Sequence, residues 1–237
     1  MKKGIYLHKI GRSLVVAALL FGFLLLPAFA DSVKDSRQLV EKARMTFEDF
    51  VAAPEMEAFR DLLKNGRGVF IAPQILKGAF IVGAAGGSGI FLVKDAKTQE
   101  WVGPAFYTIG EASFGLQAGG QSSEVVLVAM TERGVTALLS SSVKLGADVG
   151  VAVGPIGAGA AASTANLSAD IISFSRSKGL FGGISLDGAV VTVRDKLNGA
   201  YYGKKKVTPT DILIRRNVTS PRSTALLADV AKEAAKK

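Results

Sequence analysis

The chain has 237 residues, with 29 Lys and Arg against 20 Asp and Glu, no cysteine and one histidine. Because that histidine, His8, lies in an N-terminal leader, the rest of the chain lacks the residues of Ser–His and Cys–His catalysis and the usual ligands of zinc, copper and haem. The composition therefore argues against an enzyme of these classes. It predicts no metal and no cofactor, and it leaves binding functions open.

Residues 1–30 have the organisation of a secretory signal peptide. A basic start precedes the apolar stretch 14–26, and Ala28-Phe29-Ala30 is an A-x-A cleavage site. We expect a periplasmic or secreted protein after cleavage near Ala30. An uncleaved anchor is the alternative, although a membrane-spanning helix needs roughly 20 apolar residues. The leader holds four of the 29 basic residues and no acidic one, so the remainder carries a net charge of +5. Export and this modest charge argue against nucleic-acid binding.

Two helices are predicted directly after the leader. Ser32 and Asp35 form a capping-box pattern, and apolar residues then recur at helical spacing to about Phe50. The basic residues of this helix are compatible with a membrane-surface helix, but the acids among them favour an ordinary helix that lies on a core. Pro54 begins the second helix, and Gly66 ends it.

A glycine-rich segment follows, in which apolar residues alternate with small or polar ones, as in half-buried strands. A short helix is predicted at 131–140, and strands are predicted at 68–72, 113–119, 125–130 and 145–153. Between 184 and 194 the alternation changes parity at Gly188, which indicates a β-bulge. The glycine run 83–89 lacks the residues of a nucleotide-binding loop and is interpreted as a tight turn.

A last helix is predicted after Ser220-Pro221, and the whole chain after the leader is predicted to be one α+β domain, residues 31–237. Its core, residues 67–214, is a curved, mainly antiparallel, glycine-rich sheet that is barrel-like or sandwich-like. N-terminal helices in 31–66 and a C-terminal helix in 220–237 cover the sheet. No linker-like composition divides this domain.

Basic residues near tyrosines or glycines are the candidates for binding. Lysines and tyrosine rings suit an anionic membrane surface, and a glycine turn with basic neighbours can hold a phosphate. A solvated loop, protection of a sheet edge or a simple turn would also explain them. The candidates for headgroup contact are Arg176, Lys178, Lys204, Lys205 and Lys206, and those for the membrane interface are Tyr201 and Tyr202.

The glycine-rich motifs together resemble the SYLF domain, also called the Ysc84 actin-binding family. They occur in the family's order over residues 53–214: Gly66 to Gly68, Lys77-Gly78, the glycines up to Gly89, Trp101-Val102-Gly103-Pro104, Phe114 to Gly119, Gly154-Pro155, SRSKGLF at 175–181, Tyr202 and Thr210-Asp211-Ile212-Leu213. Gly157-Ala158-Gly159 departs from the pattern, because many members have an arginine after the glycine. Anion contact by that arginine is therefore not transferred.

The resemblance implies a non-enzymatic lipid-binding module, since eukaryotic members bind phosphoinositides and actin. For an exported bacterial protein it implies binding of anionic phospholipid at a membrane surface through basic residues, while actin binding is an analogy only. Two alternatives stay open. One is a structural or protein-interaction module with a protein partner or a second copy of itself. The other is a hydrolase with two carboxylates about 5 to 9 Å apart.

Overall fold

The computed structural model describes residues 32–79, 82–114, 119–157, 168–177, 179–182 and 185–236. Several sequence predictions fall outside these ranges, in whole or in part. The main ones are the leader 1–30, the candidate Lys178 and most of the strand predicted at 113–119, and residue 184 at the start of the segment 184–194 is also outside them. The other candidate binding residues all lie within the described ranges.

The described part of the chain contains six α-helices, which are α1 (32–52), α2 (Glu57–Asn65), α3 (Glu132–Leu139), α4 (Asp195–Tyr202), α5 (Pro209–Leu213) and α6 (Thr224–Ala234). Short 3₁₀ turns at Pro54–Met56 and Pro221–Ser223 lead into α2 and α6. The helices at both ends and the helix after Thr131 agree with the sequence predictions. Helices α4 and α5 were not predicted. Helix α4 has no side-chain cap and contains Gly199, and α5 has only five residues, so neither shows a clear helical signal in the sequence.

One curled sheet contains the nine strands β1 (Gly68–Ala79), β2 (Val82–Lys94), β3 (Trp101–Phe114), β4 (Gly119–Ala129), β5 (Ser142–Lys144), β6 (Val151–Val153), β7 (Ile171–Ser177), β8 (Leu180–Gly182) and β9 (Val190–Val193). Their order is β5-β9-β3-β2-β1-β4-β7-β6, and β8 pairs with β7. Among the strand pairs of the described residues, only β6–β7 is parallel. The α+β class and the mainly antiparallel sheet are thus confirmed.

Strand β1 is longer than the predicted strand 68–72, and β2 was not predicted. Strand β1 continues through Pro73. A register shift between Ile71 and Gln74 means that no ladder hydrogen bond is needed from position 73, so a proline, which has no N–H, is tolerated there. The glycine run interpreted as a turn instead lies within β2. A side chain at Gly87 would overlap the carbonyl oxygen of Gln74, so glycine allows β1 and β2 to approach at the bulge.

Two strand predictions nearer the C-terminus are correct only for the parts that form β6 and β9, because turns interrupt the alternating pattern before those strands. After β5 the chain turns at Gly146, which has a φ of +82°, and the Asp148 carboxylate accepts the Lys144 N–H at 2.7 Å. Gly188, with a φ of +91°, lies in another turn, and β9 begins only at Val190. The parity change therefore marks a boundary between elements and not a bulge within one strand.

Both faces of the central strands are buried, which makes a three-layer structure. On one face, Val126 and Val128 of β4 belong to a core formed with α1, α2 and α6. On the other face, Val125 and Leu127 pack in a second core with side chains of α3 and α5. The N- and C-terminal helices cover one face, as predicted, while the second face is covered by helices that the sequence pattern assigned only in part.

Candidate functional site

Arg176, a predicted headgroup contact, is engaged within the protein. Its Nε forms an ion pair with Glu124, and its Nη2 lies 2.6 Å from an oxygen of Asp49. The hydrogen bond that Arg176 donates to the Glu124 carboxylate raises the pKa of Arg176 above its ordinary value. Because two carboxylates neutralise this guanidinium, its main contacts hold α1 against β4 and β7.

Tyr201 lies in the core and not at the surface. Its side chain is 2% exposed, and its ring centroid lies 5.0 Å from those of Phe106 and Tyr202. A buried ring presents no face to lipid, so the expectation of a membrane-interface role is wrong for Tyr201. Tyr202 is half-buried and donates a hydrogen bond from its hydroxyl to the Pro104 carbonyl at 2.8 Å. Burial raises the pKa of the Tyr202 hydroxyl.

A buried asparagine fixes helix α4 to the sheet. The Asn198 side chain accepts the Phe106 N–H at 2.9 Å and donates to the Phe106 carbonyl at 3.4 Å. It thus satisfies backbone groups of β3 next to the residues that pair with β9. Gly203, with a φ of +66°, then ends α4 in the left-handed conformation favoured at helix C-termini.

The three lysines that follow form an exposed segment, which we call the lysine loop (Lys204, Lys205 and Lys206). Among the described residues, no carboxylate forms an ion pair with any of them. The loop lies between α4 and Val207, which is buried in the second core. Its two ends are therefore anchored, while its charges face solvent.

Arg176 and the lysine loop lie apart in the structure. The loop follows α4, which is fixed to β3 by the hydrogen bonds of Asn198 and Tyr202. Arg176 is on β7, and strands β2, β1 and β4 lie between β3 and β7 in the sheet. Neighbouring strands are about 4.8 Å apart, so roughly 19 Å of sheet separates β3 from β7. Arg176 and the lysine loop thus belong to different regions of the surface.

A cleft of about 520 Å³ lies where β2 ends and β3 begins, beside α3 and α5. Sequence reasoning did not identify this cleft, because its residues come from several separate segments. The only local signal is the pair Lys94 and Lys97, at the end of β2 and in the turn that follows. It is lined by basic, acidic and apolar side chains, which include Arg67, Lys94, Lys97, Arg216, Asp95, Glu132, Val93, Val135, Leu213 and Ile214.

The Asp95 carboxylate in this cleft is held in the ionised form. It accepts the backbone N–H groups of Thr98 and Lys97, each at 2.8 Å, and forms an ion pair with Arg216 at 2.9 Å. The two backbone hydrogen bonds are the main causes that lower the pKa of Asp95. A glycosidase acid needs a raised pKa, so Asp95 is unsuited to the acid role of the hydrolase alternative.

The described residues form neither a metal site nor a membrane-spanning helix. No group of three or more His, Cys, Asp or Glu side chains there is placed to hold a metal ion. Within the same ranges, no helix has the length and apolar character needed to cross a membrane.

Comparison with known proteins gives one consistent family. The family model described as Ysc84, Las17-binding protein actin regulator, matches residues 110–234, more than half of the chain. Protein YSC84 of Saccharomyces cerevisiae is 31% identical over 171 residues, which cover 70% of this chain and 36% of that protein. LAS seventeen-binding protein 3 of the same species is 31% identical over 148 residues, with 60% and 32% covered.

An animal relative has the same level of similarity. SH3 domain-containing YSC84-like protein 1 of Xenopus laevis is 33% identical over 142 residues, which cover 59% of this chain and 42% of that protein. The chain thus spans about two-fifths or less of the length of these relatives. The matched region 110–234 includes α3 to α6 and the lysine loop. The chain therefore belongs to the Ysc84 family and contains its SYLF domain.

Proposed function

We propose that this protein is a non-enzymatic module that binds anionic phospholipid at a membrane surface of the bacterial envelope, in the periplasm or outside the cell. The observation that carries the proposal is the lysine loop, with three adjacent exposed cations that have no carboxylate partner among the described residues. Because both ends of the loop are anchored in the cores, little chain entropy is lost when it meets a surface.

The expected strength follows from the charge of the loop. A lysine near an anionic membrane surface contributes about 1 kcal/mol, so three lysines together supply about 3 kcal/mol, or roughly a hundredfold in affinity. Screening shortens the range of this attraction to about 3 Å at 1 M salt. Binding through the loop must therefore weaken steeply as salt is added. Arg176 adds little, because its charge is already neutralised, while Lys178 stays a candidate.

The test is flotation of the purified protein with vesicles of phosphatidylcholine alone or mixed with phosphatidylglycerol, over a series of salt concentrations. We expect binding only to the anionic vesicles, with loss at high salt. The variant Lys204→Gln/Lys205→Gln/Lys206→Gln should not float. A matched control is Lys34→Gln/Lys144→Gln/Lys232→Gln, which removes the same charge from exposed positions elsewhere. Equal behaviour of the two variants would contradict a role for the loop.

A protein partner is the second candidate, and the names of the relatives favour it. The family is described as Las17-binding, and one relative is itself named a LAS seventeen-binding protein. On this alternative the lysine loop meets an acidic protein surface or a second copy of the chain. It predicts no flotation with either vesicle, together with a stable oligomer in analytical ultracentrifugation that persists without lipid.

A further inference from the structure

We propose that the cleft beside α5 binds one small amphiphile with an anionic head and a short apolar chain. None of the residues of the lysine loop lines this cleft. The inference therefore does not depend on the proposed membrane-surface function. It assigns a second binding site, for a single molecule and not for a bilayer surface.

The apolar part of the cleft is preformed. Val93, Val135 and Leu213 are 5%, 7% and 1% exposed, so they form a fixed wall, while Ile214 is 49% exposed at the edge. Because the three wall residues are already nearly buried, the apolar area that a bound chain removes from water is mainly its own and that of Ile214, and this removal favours binding. The volume of about 520 Å³ also falls within the range of small-molecule sites.

The charged part of the cleft has an excess of unpaired cations. Arg216 pairs with Asp95 at 2.9 Å and with Glu100 at 3.2 Å, so these carboxylates are already neutralised. Arg67, Lys94 and Lys97 have no ion-pair partner among the described residues. Only the Glu132 carboxylate opposes them within the lining. An anion is therefore attracted to this rim.

Arg216 holds the rim in place and keeps a buried donor without a partner. Its backbone lies in the left-handed region, with a φ of +55°, and its Nη2 also donates to the Thr98 hydroxyl at 2.9 Å. These contacts fix the turn that carries Lys97. The buried Nε of Arg216 has no acceptor in the structure, and an unpaired buried donor is unfavourable.

The apolar wall and the cationic rim of the cleft together favour a ligand that has both an apolar chain and an anionic head. Inorganic phosphate would gain only the charge interaction, and a neutral detergent would gain only the apolar contact. An anionic amphiphile gains both, so its affinity should exceed that of either partial ligand. Carboxylate and phosphate heads share the required charge, and the experiment distinguishes them.

The test is calorimetric titration of the purified protein, below micelle-forming concentrations, with laurate, dodecyl phosphate, dodecyl maltoside and inorganic phosphate. We expect saturable one-to-one binding of at least one of the two anionic amphiphiles, and their relative affinities identify the preferred head. Dodecyl maltoside and inorganic phosphate should each bind at least about tenfold more weakly. Equal binding of dodecyl maltoside, or no binding of both anionic amphiphiles, would overturn the proposal.

Variants locate the binding. Lys94→Gln/Lys97→Gln should lower the affinity for the anionic amphiphile about tenfold or more, whereas Lys34→Gln/Lys144→Gln should not change it. Ile214→Glu places a carboxylate at the exposed edge of the cleft and should lower the affinity to a similar extent. It provides a second test in case the double lysine variant folds poorly. An unchanged affinity in Ile214→Glu would refute the site.

The proposals for the cleft and for the lysine loop can be refuted independently of each other. The cleft variants should still float with anionic vesicles, because they retain the lysine loop. The variant Lys204→Gln/Lys205→Gln/Lys206→Gln should still bind the anionic amphiphile. Loss of amphiphile binding in the loop variant would place the ligand outside the cleft and would refute this inference without affecting the membrane proposal.

Discussion

Arg176 on β7 lies directly opposite Glu124 on β4, and their side chains form an ion pair across the sheet. The same guanidinium reaches Asp49 on α1, so one side chain joins two strands and a helix. This arrangement explains why an arginine beside a glycine turn, which resembles an anion site in the sequence, is a structural residue. Because Glu124 and Asp49 neutralise its charge, Arg176 has little electrostatic attraction left for a lipid headgroup.

Removing the Arg176–Glu124 pair should lower stability. We expect Arg176→Gln to reduce the free energy of unfolding by about 1–3 kcal/mol, because it leaves a half-buried carboxylate without its charged donor. Urea unfolding of Arg176→Gln, Glu124→Gln and the double variant measures the coupling. Residues in contact typically show a coupling of about 0.5–3 kcal/mol. Strictly additive effects would show that the pair contributes nothing.

Tyr201 and the lysine loop should respond to mutation in opposite ways. Tyr201→Ala removes a fully packed ring and should destabilise the protein by about 3–5 kcal/mol. The triple lysine-to-glutamine variant of the loop changes exposed side chains and should alter stability by no more than about 0.5 kcal/mol. Urea unfolding compares the two. A stable Tyr201→Ala protein would be inconsistent with the core position of the ring.

Asn198 should be needed for the attachment of α4 to β3. In Asn198→Ala the Phe106 N–H loses its acceptor in a buried environment, which should cost about 1–3 kcal/mol. Hydrogen exchange at the Phe106 amide should become faster in this variant. Asn65→Ala, at the exposed end of α2, is the matched control and should leave that amide unchanged. Unaltered protection in Asn198→Ala would mean that another group satisfies Phe106.

Asp211 should make stability depend on acid pH. Hydrogen bonds from the Thr208 side chain and backbone, followed by one from Arg215, lower the pKa of Asp211 from 3.8 to about 2. Since the folded-state pKa is the lower one, the contribution of this carboxylate is complete above about pH 4 and is lost as the pH falls towards 2. The difference in Tm between the native protein and Asp211→Asn should therefore shrink over that interval.

The same prediction can be checked at the residue itself. Thr208→Ala removes the largest cause of the shift and should raise the pKa of Asp211, as read from an NMR titration. This pair also caps α5, which carries Leu213 in the wall of the cleft. A native pKa close to 4 for Asp211 would contradict the hydrogen bonding described here.

Some parts of the fold were predictable because their signals are local. A proline at the start of a helix, a threonine cap before α3 and the apolar period of α1 all concern neighbouring residues. Alternation of apolar and small residues was a weaker guide. It continued across the turns at Gly146 and Gly188, where the backbone changes direction without changing the hydrophobic pattern.

Contiguous residues were thus enough to establish the α+β class, the terminal helices, the family resemblance and the absence of cysteine. Packing between distant segments settled which charges are free. Arg176 is neutralised by residues 52 and 127 positions away, whereas Lys94 and Lys97 meet Arg67 and α5 in one cleft. The reason is physical: helix caps and hydrophobic periods depend on neighbours in the chain, but the partner of a charge depends on strand register and on which helix lies across the sheet.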